Sequence, residues 1–206
     1  MDDLLLLILS SPSGAGKTTL TRRLLDRLKD FTFSVSHTSR KPRANEVDGK
    51  DYHFVDRSRF EDLVGQGAFA EWAEVHGNLY GTSLAEIKRA KEQGFRGVIF
   101  DVDYQGARQI KSNKKEAVGV FILPPSLGEL ERRLRGRASD DEATIKKRFA
   151  KALDEIEHYG FFDYVLVNDD VDRAVATLEG VVLAESAARW RMASRAEQLL
   201  RQGALG

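Results

Sequence analysis

The 206-residue sequence has no cysteine, two methionines, two tryptophans and four prolines, and its charges cancel, with 32 Lys and Arg against 32 Asp and Glu. Without cysteine, neither a disulfide framework nor a thiolate metal site can exist. The charge balance excludes a general electrostatic hold on nucleic acid and leaves only a local basic patch open. No apolar run approaches the roughly 20 residues that a membrane helix needs. Asp2 and Asp3 stand where the basic start of a secretory signal would lie. These absences set three expectations: no nucleic-acid partner, no membrane association and a cytoplasmic location. The histidines, His37, His53, His76 and His158, show no metal-ligand spacing. Internal repeats and low-complexity tracts are also lacking, and the length suits one α/β domain carrying insertions.

The most informative residues stand near the start. The apolar run at 4–9 is too short to span a bilayer and fits a strand buried on both faces. It feeds Ser11-Pro-Ser-Gly-Ala-Gly-Lys17-Thr18, after which Leu20, Leu24, Leu25 and Leu28 recur at helical spacing and predict an amphipathic helix over 18–29. Strand, glycine-rich loop and helix in that order are the setting of a phosphate-binding loop. Gly14 and Gly16 let the backbone curl, so that successive amides and the helix's partial positive charge converge on an anion. Ser13, Gly14, Ala15, Gly16, Lys17, Thr18 and Thr19 are the expected binding stretch for a nucleoside triphosphate. Lys17 is expected to reach the outer phosphates, and Thr18 to offer its hydroxyl to magnesium. The full pattern has glycine where this chain has Ser11; that position shapes the loop's entry, whereas the amides beyond it do the holding.

Further buried strands are expected at 32–36, 98–102, 118–123 and 164–168, mostly separated by helical patterns. That alternation predicts a mainly parallel sheet flanked by helices, of the P-loop NTPase type. A last helix is expected from about Asp170, burying Val171, Val175, Leu178 and Val182. Two stretches break the alternation and read as insertions. One, at 37–83, is polar and glycine-punctuated; the other, at 126–159, is dominated by charge. In the second, Leu127, Leu130 and Leu134 mark one helix and Ile145, Phe149, Leu153 and Ile156 another, with a polar turn between. A helical hairpin with arginines at its tip suits a lid over phosphates. The core is then 1–36, 84–125 and 160–206.

The stretch His37-Thr-Ser-Arg-Lys-Pro-Arg43 followed by Glu46-Val-Asp-Gly-Lys-Asp-Tyr52-His-Phe-Val55 resembles the GMP-binding region of guanylate kinases. Matching motifs follow in the family's order: Glu71-Trp72, Gly77-Asn-Leu-Tyr80-Gly-Thr82, Asp101-Val-Asp103-Tyr-Gln-Gly106, Phe121-Ile-Leu-Pro-Pro-Ser126, Arg132-Arg-Leu-Arg-Gly-Arg137 and Val167-Asn168-Asp-Asp170. The resemblance covers nearly the whole chain and is to the bacterial single-domain kind. Asn45 departs from it, standing where a glycine commonly precedes the glutamate; asparagine tolerates the left-handed backbone that such a turn needs.

The resemblance implies transfer of a phosphoryl group from ATP to GMP, with dGMP as an expected further acceptor and magnesium as cofactor. It makes Lys17, Arg43, Arg137 and Arg148 the expected catalytic residues and gives Arg133 and Asn168 to the ATP side. Arg40, Arg43 and Tyr52 are expected to grip the acceptor's phosphate, and planar guanidinium forks suit phosphate oxygens. Glu71 is expected to accept the guanine N1–H and amine, with Asp103 as a second carboxylate and Ser36, Tyr80 and Thr82 alongside. Asp101 is expected either to hold magnesium through water or to face the acceptor. Two other readings keep part of this pattern: a kinase for a phosphorylated sugar, which has no reason to keep Glu71, Tyr80 and Thr82 together, and a non-catalytic guanylate-kinase-like module that binds phosphopeptides. Apolar positions near Trp190 and Leu199 leave a homodimer open.

Overall fold

The computed structural model describes residues 4–43, 45–75, 77–136 and 141–203. Strand β1 (Leu5–Ser10) leads through the phosphate loop into helix α1 (Lys17–Arg27) and strand β2 (Phe31–Phe33). There follow β3 (His37–Thr38), β4 (His53–Phe54), α2 (Arg57–Gly65), β5 (Phe69–Val75) and β6 (Asn78–Ser83). Next come α3 (Leu84–Glu92), β7 (Gly97–Asp101), α4 (Tyr104–Asn113) and β8 (Val118–Leu123). The chain continues with α5 (Leu127–Arg135), α6 (Glu142–Glu157), a short 3₁₀ turn (His158–Phe161), β9 (Tyr164–Val167), α7 (Val171–Ser186) and α8 (Arg189–Gly203).

Five strands form one sheet in the order β2-β7-β1-β8-β9, and every pairing in it is parallel. β1 lies at its centre with all six residues buried. Because side chains alternate across a strand, Leu5, Leu7 and Leu9 pack with α1 and α7 through Leu20, Leu24, Val175 and Leu178. Leu4, Leu6 and Ile8 pack on the other face with Ile87, Ala90, Ala107 and Ile110 of α3 and α4. Helices on both faces explain why β1 is apolar at every position from Leu5 to Leu9 rather than at every second one.

The insertion at 37–83 builds a second sheet, ordered β4-β3-β6-β5, in which β5 and β6 form an antiparallel hairpin. β2 is shorter than the sequence predicts. The Ser34 amide still bonds the Ile99 carbonyl at 3.0 Å, and beyond it the chain leaves the first sheet for the second. The hairpin α5–α6 has its own small core of Leu130, Leu134, Ile145 and Ala152. α7 starts after Asp170, whose side chain caps it by accepting from the Arg173 amide. It is not the last helix, since α8 follows and carries exposed Trp190, Met192, Leu199 and Leu200. Among the described residues, no helix is long and apolar enough to cross a membrane.

Candidate active site

The loop between β1 and α1 sits at the carboxyl end of the central strand, where ligands gather in open α/β sheets. Gly14 and Gly16 have φ of +93° and +95°, a conformation that side chains rarely adopt. Space also requires glycine. A Cβ on Gly14 would meet Leu130 and Leu134 of α5 at 3.1 Å, and one on Gly16 would run into the Asn168 amide. Four side chains brace the loop from outside. Asn168 donates through Nδ2 to the Ala15 carbonyl at 2.7 Å, and Arg133 donates to that carbonyl at 3.2 Å and to the Asn168 carbonyl at 3.3 Å. The Ser13 amide donates to Glu155 at 3.1 Å, and the Ser13 hydroxyl accepts from Arg148 at 3.2 Å.

Lys17 is held at the strand ends. Its ammonium lies 2.6 Å from Asp101 and donates to the Val102 carbonyl at 2.9 Å. A pocket of about 340 Å³ opens here, lined by residues 11–14 and 16–19 together with Asp103 and Glu155. Of the expected ATP-binding residues, Ser13, Gly14, Gly16, Lys17, Thr18 and Thr19 line it. Ala15 does not: its side chain is fully buried and its amide donates to the Pro12 carbonyl. Arg133 and Asn168 support the loop from behind, and Asn168 Oδ1 is buried with no hydrogen-bond partner among the described residues.

A second pocket, of about 200 Å³, adjoins the first. It is lined by Ser36, Tyr52, Glu71, Tyr80, Asp101 and Asp103, with Ala73, Val75 and Val102 as its apolar wall. Asp103 lines both pockets. It also caps α4, accepting from the Gly106 amide at 2.9 Å. Glu71 lies on β5, where the register shifts between Phe69 and Glu71, and it is only 7% exposed. Burial pushes its carboxyl up to about 7, the hydrogen bond from Thr82 works against that, and the Asp103 charge adds to it. Thr82 sits opposite Glu71 in the hairpin, and its hydroxyl is 3.4 Å from that of Ser36. Gly106 makes room for the carboxylate, since a Cβ there would lie 3.0 Å from Glu71 Oε2.

Between the two pockets runs a cleft of about 480 Å³ on which Thr18, Ser36, Glu46, Tyr52 and Asp101 all open. Asp101 thus touches Lys17 on one side and the carboxylate-lined pocket on the other. Arg40 is gripped by both oxygens of Glu46 at 2.8 and 2.9 Å and lies over the Tyr52 ring at 5.5 Å. That pairing holds the Arg40 guanidinium above its usual pKa. Arg43 is exposed, and its amide donates to the same Glu46. Burial raises the Tyr52 phenol. Arg137 lies outside the described residues.

Glu46, Gly106 and Glu155 support the site without a role legible in the sequence alone. The first two stand inside motifs that were legible, so their neighbours signalled them. Glu155 stands in a charged helix and had no signal. A wider groove of about 610 Å³ lies at the opposite ends of β8 and β9, beside Trp190, and contains none of the expected site residues.

A parallel sheet with a glycine-rich phosphate loop on its central strand, facing a second carboxylate-lined pocket, defines a nucleotide-binding protein of the P-loop class with room for a second ligand. Residues 4–185 match the family model described as guanylate kinase. The chain is 48% identical over 195 residues to the guanylate kinase of Syntrophotalea carbinolica, covering 95% of this chain and 92% of the relative. It is 52% identical over 182 residues to that of Nitratidesulfovibrio vulgaris, covering 88% and 87%. Its fold is similar to the crystal structure of guanylate kinase from Anaplasma phagocytophilum, with a TM-score of 0.74 and 33% identity over 91% of this chain and 89% of that one. The chain belongs to the guanylate kinase family. α8 lies beyond the matched residues.

Proposed function

We propose that this chain transfers the γ-phosphoryl group of ATP to GMP, giving ADP and GDP, and accepts dGMP in the same pocket. The observation that carries the reading is Glu71, a buried carboxylate aimed into a pocket beside a phosphate loop, with Asp103 next to it. Guanine offers N1–H and an exocyclic amine along one edge, a pair that a carboxylate accepts. Adenine lacks that pair and would leave a desolvated carboxylate unmatched. Sites built this way reject the wrong ligand by about 10⁴–10⁵.

In this reading the loop amides and Lys17 hold the donor's phosphates. Arg40, Arg43 and Tyr52 take the acceptor's phosphate, and Glu46 sets the orientation of Arg40. Arg148, beside the loop at Ser13, and Arg137 meet charge that develops on the moving group. Most of the catalytic effect is then positioning, as is usual in phosphoryl transfer. Thr18 and Asp101 open on one cleft and present a hydroxyl and a carboxylate, hard oxygen donors that suit magnesium with most of its water kept. When bound, magnesium would supply positive charge that offsets the negative charge of the donor's phosphates. Water is kept out by the second sheet and by the α5–α6 hairpin moving toward each other once both nucleotides are in place.

The test is a coupled assay of ADP release with ATP and magnesium, comparing GMP, AMP, CMP, UMP and ribose bisphosphate. Turnover with GMP and not with AMP is the expected result. Turnover with the sugar phosphate alone overturns the guanine pocket, and no turnover with any acceptor, with no ATP binding by calorimetry, overturns the enzyme.

A further inference from the structure

We propose that Glu155 is a positioning residue that ties α6 to the phosphate loop and thereby sets the place of Arg148. The inference rests on the phosphotransferase reading above and adds a residue to it. Glutamate is rarely buried without a partner, yet Glu155 is only 7% exposed. Its Oε2 accepts the Ser13 amide at 3.1 Å, and its Oε1 lies 3.7 Å from Lys151 on the same helix. Ser13 receives a second bond from α6, from Arg148 to its hydroxyl at 3.2 Å.

The spacing matters. Glu155 and Arg148 are seven residues apart, two turns, and therefore share one face of the helix. Ala152 lies between them on that face and is fully buried. One loop residue thus takes both contacts, its amide from one end of the two-turn stretch and its hydroxyl from the other. A helix is stiff over two turns, so anchoring Glu155 fixes where the Arg148 guanidinium stands over the loop. A carboxylate accepting a backbone N–H is among the stronger hydrogen bonds and resists slipping.

Glu155 is not suited to holding nucleotide itself. It lines the pocket that receives phosphates, where its charge repels them, and it does not line the carboxylate pocket. Its removal is therefore expected to slow the chemistry without weakening either substrate, since misplacement of a reacting group by about 1 Å costs on the order of 10²-fold.

The experiment compares kcat and both KM values for wild type, Glu155→Ala, Glu155→Gln, Arg148→Ala and the Glu155→Ala/Arg148→Ala double variant, with ATP, magnesium and GMP. Wild-type turnover of GMP establishes the underlying reading separately. Glu155→Ala is expected to lose about 10²-fold in kcat with the KM for GMP unchanged and that for ATP not raised. Glu155→Gln, which keeps an acceptor for the Ser13 amide, is expected to recover most of that loss. In the Arg148→Ala background, Glu155→Ala is expected to cost nothing further. Should Glu155→Ala not fold, Glu155→Asp, one methylene too short to reach Ser13, takes its place with the same expectation. Wild-type kcat in Glu155→Ala, a Gln variant as slow as Ala, a raised KM for ATP, or losses that multiply in the double variant would each overturn the proposal.

Discussion

At the scale of single residues, Glu71 carries the sharpest dependence on conditions. Its carboxyl is pushed from an ordinary 4.5 up to about 7, chiefly by burial. Between those two pH values the folded chain keeps a proton that the unfolded chain has already released. Glu71 therefore favours the folded state most below pH 4.5, and that contribution falls away as pH rises toward 7. In the proposed reading guanine's donors need the ionised form, so GMP binding is expected to run the other way. Calorimetry from pH 8 down to pH 5 is expected to show GMP affinity falling below about pH 7. Glu71→Gln is expected to bind GMP about 10- to 100-fold more weakly at pH 8, the range for one lost hydrogen bond to a charged group, and to show no such slope. A slope that survives in the Gln variant would assign the titration to another group.

At the scale of elements, Asp103 does two jobs that substitution separates. It caps α4 through the Gly106 amide and it lines the carboxylate pocket. Asparagine caps helices about as well as aspartate, whereas alanine costs about 1 kcal/mol. Asp103→Asn is thus expected to melt with wild type yet raise the KM for GMP, and Asp103→Ala is expected to lose stability as well; equal melting temperatures for the two variants would remove the capping role. The elements also differ in how far the sequence announces them. β1, the loop and α1 are legible because burial on both faces leaves an unbroken apolar run and α1 has a clear 3.6-residue period. The second sheet was not. β3 and β4 are two residues long, too short for any period. β5 inverts the usual rule, since it buries the charged Glu71 and leaves Trp72 41% exposed. α8 went unseen because its second half is exposed all round. Asn168 was legible as part of a motif, but not its bond to Ala15, because the two stand 153 residues apart. Glu155 is the plainest case, indistinguishable from its charged neighbours until the fold brings Ser13 to it.

At the scale of the molecule, the two pockets share Asp103 but are otherwise lined by different residues, so each ligand is expected to stabilise separately. Substrate at 100 times its dissociation constant adds about 2.7 kcal/mol, which in a chain of this size raises the melting temperature by roughly 5–10 °C. Thermal melting is expected to show that rise with GMP alone and with ATP alone, and none with AMP at a concentration where GMP saturates. An equal rise with AMP would show that the second pocket does not discriminate between bases. The proposed movement of the second sheet toward the α5–α6 hairpin also predicts a smaller radius of gyration by small-angle scattering with both nucleotides present.

The phosphate loop depends on residues far along the chain: Lys17 on a carbonyl 85 residues later, Ser13 on a carboxylate 142 residues later and Ala15 on an amide 153 residues later. During synthesis the loop leaves the ribosome before the residues that support it. At about 5–20 residues per second, the interval is on the order of ten seconds. For that time the nascent chain displays the glycine-rich stretch without the frame that shapes it, so nucleotide cannot act as an early template for folding. The site assembles only once the last of these supports, Asn168, has been made.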